Sequence, residues 1–150
     1  MSNCALQYPH GTVKKVHLKN KNMKLIKGIA PEFIDARGAI TMVLDENDMP
    51  VKSVLLITCT KGAVRANHFH KEDSHWAFML TGKMRYTEAP VGAGDDKKEV
   101  AIVEAGDMVY SPPMVMHAME FLEDSVFLAF ATKSRKDGAY EDDTVRVNLV

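Results

Sequence analysis

The sequence predicts an all-β fold, an antiparallel sandwich or barrel, from three observations. Short segments rich in Val, Ile, Leu, Phe and Thr recur along the chain, and many alternate apolar with polar residues as strands do. Turn-forming residues separate these segments, for example Lys61-Gly62 and Ala105-Gly106-Asp107. No long stretch shows a helical period. Many short strands with glycine-containing turns are typical of antiparallel sandwiches and barrels.

The strand predictions cover most of a chain of 150 residues, which is the size of one domain. We expect a core at about residues 33–147, with N-terminal strands in 11–27 packing on the barrel or on a second subunit. The loop 89–96 is expected to be the most mobile insertion. The segments predicted to be strands are 12–18, 39–44, 51–60, 76–80, 83–88, 99–103, 108–110 and 125–132.

Composition narrows the classes of function and partner. The formal net charge of −1 argues against nucleic acid as a partner. No apolar run reaches the roughly 18 residues of a membrane helix, and the N-terminus lacks the pattern of a signal peptide. Cys4 and Cys59 form no paired framework, which fits a reducing compartment. We therefore expect a cytoplasmic protein with no membrane partner.

The N-terminal third carries an excess of positive charge. Its lysines precede the first acidic residue, Glu32. They suit an edge strand protected by charge, and the alternative is a basic rim for a phosphorylated ligand. Edge strands of this kind, together with ten methionines, also favour packing against a second copy, so that a homodimer is expected.

Four of the six histidines fall in two glycine-bounded segments. The first, from Gly62 to Gly82, reads G-x5-H-x-H-x4-H-x6-G and contains His68, His70 and His75. The second begins at Gly106 and reads G-x5-P-x4-H, with His117 at its end. On a strand His68 and His70 leave the same face, and His75 and His117 can return to that face from neighbouring strands.

Converging imidazoles suggest a metal site. Histidines near their unperturbed pKa of about 6.5 would repel one another once protonated, whereas a metal binds the neutral ring. An all-nitrogen set suits Fe, Mn, Ni, Cu or Zn rather than Ca or Mg. We expect one such divalent ion per chain, held by His68, His70, His75 and His117. The alternative is that these are polar side chains inside a barrel, bonded to water or to Tyr110.

The two segments resemble the two sequence motifs of the cupin superfamily, which implies a jelly-roll barrel. Order, spacing and flanking glycines match. Two positions depart from the pattern: the first motif usually has Glu where this chain has His75, and the second usually has Gly where this chain has Met114.

A narrower resemblance extends over residues 33–147. The segment from Asp35 to Ile40 is similar to the D-x-R-G-x-L segment of cupins that act on nucleotide-linked keto-sugars, and the segment from Arg65 to Lys71 resembles their R-G-x-H-x-H-K core, with Ala66 in place of glycine. Residues 112–119 look like their P-P-x-x-W-H-x-M segment, and Asp143-Thr-Val-Arg resembles their D-Y-I-R close. Those relatives include ketoisomerases and epimerases of deoxysugar and polysaccharide biosynthesis.

The resemblance implies proton abstraction beside a ketone, and it assigns roles to particular residues. His68 and His70 would shuttle the proton, with Tyr110 as a candidate donor. Other side chains would bind substrate, and the two arginines would hold its pyrophosphate. Arg37 has an equal structural alternative, an ion pair that fixes the chain where it joins the barrel. The predicted substrate-binding residues are Arg65, Arg37, Lys71 and Trp76.

Three functions remain open from the sequence. The first is a metal-binding isomerase or epimerase of a keto-sugar, in which a metal would polarise the ketone and a group other than a metal-bound histidine, such as Tyr110 or Glu120, would be the base. The second is a metal-dependent dioxygenase or related small-molecule enzyme, which the aromatic and methionine-rich surroundings would suit. The third is a non-catalytic ligand-binding protein, since cupin barrels host many chemistries.

Overall fold

Two antiparallel sheets face each other across an apolar core in the computed structural model, which confirms the predicted all-β fold. The structure describes residues 23–45 and 49–150, and the backbone of 14–17. Two single-turn 3-10 helices (Asp95–Lys97 and Lys136–Gly138) and one helix, α1 (Ala139–Asp143), interrupt the strands. The strands are β1 (Lys14–His17), β2 (Lys24–Lys27), β3 (Phe33–Asp35), β4 (Gly38–Ile40), β5 (Ser53–Cys59), β6 (Val64–His70), β7 (His75–Thr81), β8 (Lys83–Pro90), β9 (Glu99–Glu104), β10 (Met108–Ser111), β11 (Val115–Phe121), β12 (Ser125–Ala131) and β13 (Thr144–Arg146).

The strand order places the two histidine segments in different sheets. One sheet has the order β1-β2-β10-β7-β12-β5 and the other β13-β6-β11-β8-β9, while β3 and β4 form a separate hairpin. Strands β6 and β11 are hydrogen-bonded neighbours, with His68 opposite His117. Strand β7, which begins at His75, lies in the facing sheet, so that the histidines meet between the sheets.

Strand β7 is buried on both faces, because it separates two apolar clusters. Ala77 and Met79 belong to the core between the sheets. Trp76 and Phe78 belong to a second cluster on the outer face of the six-stranded sheet, together with Met108. The outer face is covered there by residues of the N-terminal half of the chain, including Ile26, Ile29, Val43, Leu44 and Met49.

The N-terminal strands extend the chain's own six-stranded sheet. β2 pairs with β10, and β1 pairs with β2. Asp107 fixes this attachment: its carboxylate accepts hydrogen bonds from the backbone N–H of Gly28 and of Glu104, each at 2.8 Å, and forms an ion pair with Lys27. Of the predicted N-terminal segment, residues 11–13 and 18–22 lie outside the described residues.

The predicted strand at 39–44 ends earlier than its apolar composition suggests. β4 stops at Ile40, because it pairs with only three residues of β3 and, among the residues that the structure describes, no strand continues alongside it. Ile40 and Met42 are instead more than half exposed, at 57% and 51%. Apolar composition alone did not reveal that this segment lacks a second pairing partner.

Three residues that are not glycine have left-handed backbone near the histidines. Ala66 and Asn67 have φ of 65° and 53°, and Met114 has φ of 60°. The pairing of β6 with β11 shifts register between His117 and Ala118, so that a bulge accommodates Ala66 and Asn67. The Asn67 side chain then accepts the backbone N–H of Leu149 at 3.1 Å, which attaches the end of the chain to this bulge.

Candidate active site

A cavity lies between the two sheets, and both apolar and polar side chains line it. Its empty volume is about 590 Å³ when the space open to solvent is counted. Apolar side chains from β5, β7, β11 and β12 line part of it. The polar lining residues are Arg65, His68, His75, His117, Arg135 and Tyr140.

The sheet itself brings three of the histidines together. His68 on β6 lies opposite His117 on β11, with ring centroids 4.8 Å apart. His70 leaves the same face of β6 as His68, and their centroids are 4.6 Å apart. All three side chains are buried, with 5%, 1% and 1% of His68, His70 and His117 exposed. Side chains alternate between the two faces of a strand, and this alternation accounts for the position of His68 and His70 on one face.

Each of two histidines has one ring nitrogen held by the protein. His70 Nδ1 lies 3.3 Å from a carboxylate oxygen of Asp143. His117 Nδ1 lies 3.2 Å from the carbonyl oxygen of Val115, to which it donates. These contacts leave Nε2 of each ring as the lone-pair nitrogen, and His70 Nε2 is buried without a partner among the described residues.

His75 differs from the other three histidines in the partner of its Nε2 nitrogen. Its Nε2 lies 2.8 Å from Asp73, whose other oxygen accepts the backbone N–H of Thr132 and of Lys133 and the Thr132 hydroxyl. The Asp73 carboxylate is therefore saturated and fixes the imidazole, so that Nδ1 is the nitrogen left to accept a proton. The His75 ring nevertheless remains close to His70, at 4.5 Å between centroids.

Burial keeps the clustered imidazoles neutral. Burial first, and then repulsion from the neighbouring histidines, lowers the pKa of His68 to about 3 and that of His70 to about 4. The same causes lower the pKa of His117 well below its ordinary value. For Asp73, burial acts to raise the pKa, but hydrogen bonds from His75 and Thr132 outweigh it and the pKa falls below its ordinary value. His68, His70 and His117 are therefore neutral near pH 7, and the Asp73 carboxylate is ionised.

The donor set fits a transition metal. Ligand atoms of His68, His70 and His117 lie within 4.8 Å of one another, and His70, Asp73 and His75 form a second such group. His68 Nδ1 and His70 Nε2 are buried nitrogens with no hydrogen-bond partner among the residues described. Histidine ligands commonly place their second nitrogen against a carboxylate or carbonyl: His117 Nδ1 donates to the Val115 carbonyl, and His70 Nδ1 lies 3.3 Å from the Asp143 carboxylate.

The two arginines of the cavity differ from every other arginine of the chain. Arg37, Arg85 and Arg146 lie beside the carboxylates of Asp35, Glu120 and Glu141. Arg65 instead donates to Cys59 Sγ and to the Thr58 carbonyl, and Arg135 stacks on the Tyr140 ring at 3.7 Å. Within the described part of the chain, neither cavity arginine has a carboxylate partner.

Several predicted site residues lie away from the cavity. Tyr110 and Trp76 pack together on the outer face of the six-stranded sheet, at 4.7 Å between centroids, whereas His75 faces inward. Arg37 is bonded to Asp35 in the β3–β4 hairpin and is 84% exposed, so its ion pair stays within that hairpin. Lys71 donates to the Asp142 carbonyl. The structure thus brings His68, His70, His75, His117 and Arg65 together, and it does not bring Tyr110, Trp76, Arg37 or Lys71 to the cavity lining.

Other residues of the site were not predicted from sequence. Asp73 and Asp143 hold histidines, and Arg135 and Tyr140 line the cavity mouth. Glu88 lies opposite His117 in the neighbouring strand and is 1% exposed, and burial raises its pKa to about 7. The D-x-V-R close pointed to the Asp143 segment, but nothing in the local sequence indicated that Tyr140 would reach the histidines.

The fold and the histidine-lined cavity define a cupin of the kind related to sugar-modifying enzymes. The family described as "FdtA: WxcM-like, C-terminal" matches residues 19–146, and the chain belongs to that family. No helix in the described ranges is long and apolar enough to cross a membrane.

Solved structures of sugar-nucleotide enzymes share this fold. A mutant of the 3,4-ketoisomerase QdtA from Thermoanaerobacterium thermosaccharolyticum, in complex with TDP, aligns with a TM-score of 0.65 and 25% identity over 85% of this chain and 88% of that chain. Another mutant of QdtA, in complex with TDP-4-keto-6-deoxyglucose, aligns with the same TM-score and coverage at 21% identity. The epimerase RmlC from Legionella pneumophila aligns with a TM-score of 0.72 over 93% of this chain and 79% of that chain, at 12% identity, which shows the fold alone.

A curated relative has a different chemistry. Oxalate decarboxylase OxdC of Bacillus subtilis (strain 168) is 30% identical over 116 residues. The match covers 74% of this chain, which spans 28% of that enzyme's length.

Proposed function

We propose that this protein is an isomerase or epimerase that moves a proton next to the ketone of a nucleotide-linked keto-sugar. The observation that carries the proposal is a cavity in which clustered histidines adjoin two arginines without carboxylate partners, Arg65 and Arg135. The family and the likeness to the ketoisomerase QdtA support the same substrate class.

The arginines indicate an anionic ligand. A guanidinium at the mouth of a cavity has donors that match phosphate oxygens, and here no carboxylate among the described residues competes for them. Arg65 and Arg135 would therefore bind the pyrophosphate and place the sugar beside the histidines. This replaces the pairing of Arg65 with Arg37 expected from sequence, because Arg37 is held by Asp35.

His75 is the proposed base. Asp73 fixes its ring through Nε2, which leaves Nδ1 to take a proton from the carbon next to the ketone. The Asp73 carboxylate also stabilises the imidazolium that forms, because it stays ionised. This role frees His68, His70 and His117 to hold a metal.

The fit of the donor set supports a divalent transition metal at His68, His70 and His117, with Fe, Mn, Ni, Cu and Zn as the candidates. When bound, such an ion supplies Lewis-acid polarisation of the ketone, which makes the proton on the neighbouring carbon easier to remove. Asp143 and the Val115 carbonyl would orient His70 and His117 as ligands.

Nucleotide binding tests the substrate class directly. We expect calorimetry to show binding of TDP by the wild-type protein, and we expect Arg65→Gln and Arg135→Gln each to weaken it at least about tenfold, the loss of one charge-assisted contact. The matched control is Arg85→Gln, because Arg85 lies beside Glu120 outside the cavity. Equal affinity of all four proteins, or no TDP binding, contradicts the proposal.

Metal content and proton exchange test the chemistry. Elemental analysis of protein purified without a metal-affinity column is expected to give about one transition metal per chain.

Incubation with TDP-4-keto-6-deoxyglucose in D2O is expected to place deuterium next to the ketone. Binding of that compound without any exchange would rule out the isomerase and leave a ligand-binding protein.

A second candidate is a metal-dependent lyase or oxygenase. The 30% identity to oxalate decarboxylase OxdC and the possible metal group at His68, His70 and His117 favour it. It predicts release of CO2 from oxalate, or oxygen consumption, by the metal-loaded protein. Neither activity is expected from an enzyme specific for keto-sugars.

A further inference from the structure

One tyrosine hydroxyl in the described part of the chain is left free, and it lies in the cavity. Tyr86 is bonded to Ser111 at 2.8 Å, and Tyr110 donates to Ser74 at 3.1 Å. The Tyr140 hydroxyl has no hydrogen-bond partner among the described residues, and its side chain lines the cavity beside His68 and His75. Its ring centroid lies 5.5 Å from that of His70 and 6.1 Å from that of His68.

The position of Tyr140 is fixed by groups other than its hydroxyl. The Thr144 hydroxyl donates to the Tyr140 carbonyl at 2.6 Å, which closes the short helix α1. Asp143, at the end of α1, accepts the backbone N–H of Glu72 and of Asp73 at 3.0 and 3.1 Å. On the ring itself the Arg135 guanidinium stacks at 3.7 Å, a favourable cation–π geometry. The chain therefore presents a phenol with its ring held and its oxygen unused.

We propose that Tyr140 is the catalytic proton donor of this cavity, protonating the carbonyl oxygen of a keto-sugar. This inference rests on the proposed function and completes its chemistry. As His75 Nδ1 takes the proton from carbon, the Tyr140 O–H bond breaks and the enol O–H bond forms. In the second half the Tyr140 oxygen takes a proton from the neighbouring hydroxyl of the enediol, and the imidazolium returns its proton to the former carbonyl carbon. Protons balance, and no oxidant or reductant is required.

The other candidate donors are placed elsewhere. Tyr110 lies on the outer face of the six-stranded sheet. Glu120 leaves β11 on the face opposite to His117 and Met119, and it lies 3.6 Å from Arg85. The Arg135 side chain, which would bind pyrophosphate, also stacks on the Tyr140 ring. A bound nucleotide would therefore place its sugar close to the Tyr140 hydroxyl.

Tyr140→Phe is the decisive variant, since it keeps the ring and its stacking on Arg135 and removes only the hydroxyl. We expect its affinity for TDP-4-keto-6-deoxyglucose by calorimetry to stay within about threefold of wild type. Deuterium exchange next to the ketone is expected to fall about 10²- to 10⁴-fold, the range for loss of a general acid. Tyr110→Phe is measured in parallel, and thermal melting checks that both variants fold.

The outcomes separate this inference from the function beneath it. Exchange by wild type together with loss in Tyr140→Phe and unchanged binding supports the inference. Exchange in Tyr140→Phe within threefold of wild type, or a loss confined to Tyr110→Phe, overturns the role of Tyr140 and leaves the isomerase standing. Binding without exchange in wild type itself overturns the isomerase, and the role of Tyr140 falls with it.

Discussion

At the scale of single residues, two positions where the resemblance expects glycine have the left-handed backbone that suits glycine. Ala66 stands where related sugar-nucleotide cupins have glycine, and Met114 stands where the second motif usually has glycine. Both nevertheless have φ near +60°, the conformation that glycine adopts without steric cost. At Gly82, where the glycine is kept, a Cβ would lie 2.5 Å from the Asp124 carbonyl oxygen. Residues with a Cβ thus occupy left-handed backbone at two positions, whereas at Gly82 a Cβ would have no space.

Ala66→Gly is therefore expected to stabilise the protein. Left-handed backbone costs a residue with a Cβ about 1–2 kcal/mol, and the substitution would relieve this strain. Glycine has greater freedom in the unfolded chain, which reduces the gain in stability by roughly 0.5–1 kcal/mol. Urea unfolding should show a net increase in the free energy of unfolding of about 0.5–1 kcal/mol. Ala101→Gly, in strand β9, is the control and should destabilise. Destabilisation by both substitutions would mean that Ala66 carries no strain.

Glu88 makes the stability of the fold depend measurably on pH. Burial raises its pKa to about 7 from an ordinary 4.5. Between these values the carboxyl is ionised in the unfolded chain and protonated in the folded one, so stability from this group is present below pH 4.5 and is lost as pH rises through 7. Over that interval the loss is about 1.36 kcal/mol per pH unit.

Glu88→Gln should remove that dependence, because glutamine does not ionise. The wild type loses stability between pH 5 and pH 8 and the variant does not. The difference in unfolding free energy, variant minus wild type, is therefore expected to increase by roughly 2–3 kcal/mol from pH 5 to pH 8. Urea titrations of both proteins at the two pH values give this difference. For the control Glu123→Gln, whose side chain is 57% exposed, the difference should not change with pH. A constant difference for Glu88→Gln as well would contradict a raised pKa.

At the scale of elements, the segment formed by α1 and β13 connects the cavity mouth to its histidines. β13 pairs with β6, placing Thr144 opposite His70 and Arg146 opposite His68. Asp143, the last residue of α1, accepts backbone N–H groups of the turn after β6 and lies beside the His70 ring. The Asp143 carboxylate thus links α1, which contains Tyr140, to the His70 imidazole that would hold a metal.

Asp143→Asn should weaken metal binding without removing a ligand. Loss of a carboxylate that orients a histidine typically lowers metal affinity 10- to 100-fold. Competition between the protein and a chromophoric chelator for Zn2+ measures this change. Asp142→Asn is the matched control, because that neighbouring side chain is exposed and the only bond described for Asp142 is accepted by its backbone carbonyl. Equal Zn2+ affinity of the two variants would show that Asp143 does not orient a ligand.

At the scale of the whole molecule, one outer sheet face is apolar at its edge. β5 is the edge strand of the six-stranded sheet, and Val54 and Leu56 on it are 59% and 67% exposed. Phe130 and Leu128 lie opposite them on β12 and extend the apolar surface. Contiguous apolar surface beside an exposed edge is where an interface between copies is expected. The homodimer expected from sequence stays a prediction, and this face is its candidate interface.

Leu56→Glu should convert such a dimer to monomer, because a charge would be buried in the interface without a partner. Size-exclusion chromatography with light scattering measures the mass. Val100→Glu provides the control, since Val100 is 54% exposed on β9 of the other sheet. A monomeric wild type, or a dimer that survives Leu56→Glu, would place the interface elsewhere or remove it.

The sequence by itself predicted the fold class, the family resemblance and the convergence of four histidines, His68, His70, His75 and His117. Strand period two places His68 and His70 on one face, and the glycine-bounded motifs place His117 beside them, so local chemistry was sufficient. Only the tertiary structure decided which face of β7 is the cavity, because this strand is buried on both faces and its composition is apolar on each. That choice moved Trp76 and Tyr110 out of the site. The partners of the imidazoles, and the presence of Arg135 and Tyr140, depend on contacts between distant segments, which no local pattern records.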